Sequence, residues 1–74
     1  MSKHIRLSEV RAGADMVREI ATRGDFEAAH VREDELRLLV LRAIAERRFH
    51  PMDVVRAARE VLDLAAFKYE RHCA

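Results

Sequence analysis

The chain has 74 residues, of which 50% are hydrophobic and 5% aromatic, with no tryptophan. One domain is all that fits, and a chain of this size buries only roughly 60% of the surface its unfolded form exposes, which leaves a small core. Lysine and arginine total 14 against 13 acidic residues, a formal net charge of +1, without the basic excess that marks most nucleic-acid binders.

Arginine supplies nearly all of the positive charge, with Lys3 and Lys68 the exceptions. Its planar fork suits bidentate pairing with carboxylates or phosphates, although a GC-rich genome produces the same bias. The single cysteine, Cys73, allows no intrachain disulfide. No apolar run approaches the roughly 20 residues that span a bilayer, and Met1-Ser2-Lys3-His4 is not followed by the apolar stretch of a signal peptide. A cytoplasmic protein without membrane attachment is expected.

Residues 1–7 read as a short flexible tail in which Ile5 and Leu7 alternate with Lys3, His4 and Arg6. The single domain is expected over 8–74. Ser8 is the expected N-cap and Gly24 the expected stop of a first helix, 8–23. Between them Val10, Ala14, Val17, Ile20 and Ala21 recur at helical spacing, with Gly13 and Met16 on the same face. Gly13 costs about 1 kcal/mol relative to alanine inside a helix, so it marks either a close approach of another helix or a later start.

Asp25 can cap a segment beginning at Phe26, but Glu33-Asp34-Glu35 interrupts any apolar face that continues from it. Acidic residues favour a helix's first turn, where they meet the positive end of its dipole. The reading is therefore a separate turn over 25–30 and a main helix over 33–48, with one bent helix from 26 onward as the competing arrangement. In the main helix Leu36, Leu39, Val40, Ala43 and Ile44 satisfy the amphipathic template, while Leu38, Leu41 and Ala45 lie on the opposite side. Apolar residues all round imply a central helix covered by both neighbours, or a second face that docks a partner.

His50-Pro51 is the strongest boundary, because proline breaks a helix interior, is tolerated at a first helical position and pushes its predecessor out of the α region. A third helix is expected over 51–65, with Val54, Val55, Ala58, Val61, Leu62 and Ala65 as its buried face. Arg56 with Glu60 and Arg59 with Asp63 are expected i,i+4 pairs. Leu64 and Phe67 fall off that face, so Ala66 to Tyr69 is read as a segment turning back over the core. The fold class is all-α: a small single-domain bundle of three principal helices, 8–23, 33–48 and 51–65, with short accessory helical turns.

Chemistry is sparse. His72-Cys73 with Glu70 lacks the paired spacing of a zinc site, and His4, His30 and His50 are dispersed. Cys73 has no oxyanion-hole motif beside it. The acidic triplet 33–35 reads as a solvated helix start rather than an acid/base pair, and Gly13 and Gly24 form no phosphate loop. No catalytic residue, cofactor or metal ligand is assigned, and enzyme activity is not expected.

Two binding readings remain. In the first, the chain is a protein-interaction module, an adaptor, regulator or inhibitor of a larger partner or of its own copy, which docks through Leu38, Leu41, Phe67 and Tyr69. In the alternative, residues 42–60 form a helix-turn-helix unit that binds nucleic acid as a dimer through Arg47, Arg48, Arg56 and Arg59. Against that alternative, Asp53, Glu60 and Asp63 share the exposed face of the would-be recognition helix, and the turn lacks a glycine. In composition the short Ala/Arg-rich helical chain resembles accessory proteins of bacteria and their phages, and no motif identifies a family.

Overall fold

The structure is a computed structural model that describes residues 4–67. Three helices pack together, α1 (Leu7–Thr22), α2 (Phe26–Ala45) and α3 (Val54–Ala66), with one 3-10 turn, Pro51–Asp53, before the last. Each helix touches the other two, as expected for the all-α bundle.

α1 begins one residue before Ser8, which therefore sits inside the first turn and is not the N-cap. Arg6 takes that position. Its backbone N–H donates to the Glu9 carboxylate at 2.8 Å and its carbonyl accepts from the Glu9 N–H at 3.0 Å, so Glu9 both satisfies an orphan donor and meets the helix dipole. Val10, Ala14, Val17 and Ala21 are buried, a 4-3-4 spacing that keeps one seam against its neighbours. Gly24 ends the helix with φ 88°. The Gly24 N–H donates to the Ala21 carbonyl and the Asp25 N–H to the Ile20 carbonyl, the paired bonds of a Schellman turn.

The separate 25–30 turn does not exist, since α2 is continuous from Phe26, capped by the Asp25 side chain accepting from the Ala28 N–H at 3.3 Å. The acidic cluster fails to break the helix because its charges are absorbed locally. Glu33 faces inward at 2% exposure, and Arg37, one turn on, donates to it at 3.3 Å while also meeting Asp34 at 3.3 Å. His30 Nε2 lies 3.3 Å from Asp34 on the other side. An acidic residue at i with arginine at i+4 supports a helix rather than ending it.

The same helix stops at Ala45, three residues short of the expected end. Arg47 adopts φ 57°, its N–H donating to the Ile44 carbonyl and the Arg48 N–H to the Ala43 carbonyl. This is a second Schellman turn with arginine in the left-handed position that glycine holds at 24. The chain then runs through Phe49, 3% exposed, to Pro51, which opens the 3-10 turn. Residues 4–7, expected within the tail, are tied to this connection. The Ile5 N–H donates to the Arg48 carbonyl at 2.8 Å, His4 meets the His50 ring edge-on, and Ile5 and Leu7 pack on the core.

α2 buries Ala29, Glu33, Leu36, Val40 and Ala43. Leu39, expected in the core, is instead 44% exposed, because the inward seam runs 29-33-36-40-43 and places residue 39 on its flank. Gly13 marks a close approach: a Cβ there would lie 2.9 Å from Leu36 Cδ1. α3 is rotated from expectation. Ala57 and Leu64 are fully buried with Val54 and Val61 partly so, while Val55, Leu62 and Ala65 face out. Phe67 packs partly buried against the core, and Tyr69 lies outside the described residues.

Candidate protein-docking face

The rotation of α3 creates the most distinctive surface of the molecule. A heptad-like strip, Val55-Ala58-Leu62-Ala65, runs beside the buried strip 54-57-61-64, so α3 carries two apolar seams where packing on α1 and α2 consumes one. On α2 the outward strip Val31, Leu38, Leu41 and Ala45 repeats the pattern opposite its buried seam. Leu41 is 61% exposed and Leu62 69%.

Leu41 and Leu62 meet in one open groove of about 310 Å³ between α2 and α3, whose walls include Ile44, Val61 and Ala65, with Arg37 as the charged residue in the lining. Nearly all of the exposed lining is apolar. The Arg37 guanidinium is turned toward Glu33 and Asp34, so its stem contributes hydrocarbon to the wall while its charge is spent within the helix.

Beside this groove, on the outer flank of α2, lies a shallower and more polar depression of about 560 Å³ that includes Glu35, Leu38, Leu39 and Arg42. Leu38 is 47% exposed. Glu35 has an ion pair of only 3.8 Å, with Arg32, and Arg42 has no carboxylate within ion-pair distance among the described residues. Leu38 and Leu41, the two candidate docking residues on this helix, are therefore both at the surface, 38 in the polar depression and 41 in the apolar groove. Phe67 does not join them, because it packs on the core from the far end of α3.

The contribution of α3 differs from expectation. Val55, Leu62 and Ala65, expected on the buried face, are exposed, and the apolar excess of 54–65, with Leu64 and Ala57 beside one complete face, is the signal of a second surface.

The arginines of the alternative reading do not form one cluster of free charge. Arg47 serves as the left-handed stop of α2, and Arg48 is 3.8 Å from Glu46. Arg56 and Arg59 lie exposed on α3 with no ion pair among the described residues, but Asp63 shares their face. The expected Arg56–Glu60 pair is replaced by a contact between helices, Arg11 Nε to Glu60 at 3.3 Å, and Arg59–Asp63 does not form. The dispersed histidines come partly together, with His4 and His50 ring centroids 5.2 Å apart. Among the described residues no three metal-binding side chains converge, and no helix is long and apolar enough to cross a membrane.

Compared with protein-family models, curated proteins and solved structures, the chain matches none.

Proposed function

We propose that this chain is a protein-interaction module, an adaptor, regulator or inhibitor, that docks through the outward face of the α2–α3 hairpin. One observation carries the reading: the α2–α3 groove, in which Leu41 and Leu62 stand more than half exposed. Scattered surface leucines need no explanation, but apolar side chains gathered into one groove with a polar rim are the usual mark of a protein-binding site. A helix laid into such a groove would engage it through anchors at i, i+3, i+4 and i+7.

Photocrosslinking in cells tests this, with a photoreactive residue placed at Leu41, at Leu62 and, as a control, at Thr22 at the end of α1. Protein adducts at 41 and 62 and none at 22 are expected. Absence of protein adducts at the groove positions, or adducts to nucleic acid from Arg59 in their place, overturns the reading.

A further inference from the structure

We infer that the partner is a second copy of this chain, docked across a two-fold axis with the α2 helices antiparallel. The inference rests on the docking face described above and assigns it an occupant from the charges on its rim.

The outward apolar residues of α2 follow a coiled-coil register. With Leu38 and Ala45 in one type of seam position and Asp34 and Leu41 in the other, the spacing is 4-3-4 over 34–45. An isologous two-fold contact requires a patch complementary to itself. In antiparallel packing Leu38 lies against Leu41 of the second copy, and Asp34 lies against the small Ala45, its charge held by Arg37 within its own helix.

The flanking charges decide the direction. Glu35 and Arg42 both follow seam positions 34 and 41, on the same side of the helix and one heptad apart. Antiparallel packing brings Glu35 of each copy opposite Arg42 of the other, twice per dimer. Parallel packing gives Arg42 no carboxylate, because it then faces Arg37 of the other copy, whose charge is already taken by Glu33 and Asp34. Charges flanking a seam set partner choice and orientation, and this pair favours its own copy in one direction. Arg42 is available for the role because no carboxylate of the described residues engages it. The area fits a weak dimer. Helices about 30 and 20 Å long set about 10 Å apart present a face of roughly 500 Å² before side-chain relief is added, below the ~800 Å² per partner of a standard stable interface and at the low end for a specific one.

The test is a charge swap read by analytical ultracentrifugation of the purified full chain from about 1 μM to about 1 mM, a window spanning ordinary to weak dimer affinities. The wild type is expected to approach twice the 8.6 kDa chain mass. Glu35→Arg or Arg42→Glu alone sets like charges opposite at two places, and each is expected to weaken the dimer by about tenfold or more. The double variant Glu35→Arg/Arg42→Glu restores opposite charges and is expected to recover most of the affinity. Both positions are exposed, so circular dichroism should be the same for all four proteins.

A wild type that stays monomeric to the top of the range overturns the second copy as partner. Adducts from Leu41 and Leu62 to a different protein would then still support the docking face, so the two readings fail separately. A dimer indifferent to the single changes, or a double variant as weak as the singles, overturns the antiparallel α2 arrangement.

Discussion

Arg47 stands in the left-handed region at φ 57°, a conformation that costs an ordinary residue roughly 1–2 kcal/mol and glycine far less. The chain solves the same problem with glycine at 24, and the two turns share the same pair of closing hydrogen bonds. Arg47→Gly is therefore expected to raise the unfolding free energy by about 0.5–1 kcal/mol, part of the gain being lost to the extra freedom of glycine in the unfolded chain. Urea denaturation measures it, and a loss of stability would mean that the arginine side chain makes a contact worth more than the strain. This stop was not legible in the sequence, because arginine gives no signal for a positive φ, whereas Gly24 and the Asp25 cap could be read directly. Glu33 was misread for a related reason. An acidic residue in a run of three looks solvated, and the arginine one turn later helps to make its burial tolerable. Removing that arginine takes away one charged partner of a buried carboxylate: Arg37→Met is expected to cost about 1–3 kcal/mol, whereas Asp34→Ala, at a half-exposed position, should cost well under that. Thermal melts of the two variants side by side provide the comparison.

At the scale of the helix, the three principal helices followed from caps, proline and periodicity, but the joining of 25–30 to the main helix and the rotation about each axis did not. α3 has apolar residues at 54, 57, 61 and 64 and again at 55, 58, 62 and 65, two adjacent strips with nearly equal claims to the core. Bulk leans only slightly to the first, where Val61 and Leu64 stand against Leu62 and Ala65. Packing decides for the first, since Leu64 lies in the core cluster at 0% exposure while Leu62 is 69% exposed. Leu64→Ala is accordingly expected to cost about 2–5 kcal/mol, and Leu62→Ala under about 1 kcal/mol because most of that side chain already sees water. The same contrast separates Val40 from Leu39 on α2, so Leu39→Ala should be mild where the periodicity alone expects a core truncation. Equal losses at 62 and 64 would refute the rotation, and with it the apolar groove. The candidate docking residues were half legible for the same reason: Leu38 and Leu41 stood out against the core face of their own helix, but their companions on α3 could be identified only once Leu64 was placed inside.

At the scale of the fold, five of the eleven buried apolar residues among the described residues are alanine. Small side chains let the helices approach closely, as Gly13 does against Leu36, but each contributes little burial. A domain below about 70–80 residues rarely gains more than about 3–5 kcal/mol from its core. Phe49 is then disproportionately important. It is the largest side chain in the buried set, it comes from the connection between α2 and α3 rather than from a helix, and it sits between Arg48, whose carbonyl holds Ile5, and the turn begun by Pro51. One residue thus fastens the N-terminal segment and the α2–α3 hairpin to the same core. Truncating a buried phenylalanine costs about 3–5 kcal/mol, which is the size of the entire expected stability. Phe49→Ala should therefore be substantially unfolded at 25 °C, with helical circular dichroism well below that of the wild type and no cooperative melt. A Phe49→Leu variant keeps most of the volume and should fold with a lowered midpoint. If Phe49→Ala still melts cooperatively, the helices hold one another without the connection. In that case the hairpin geometry that brings Leu41 and Leu62 into one groove is fixed by helix packing alone.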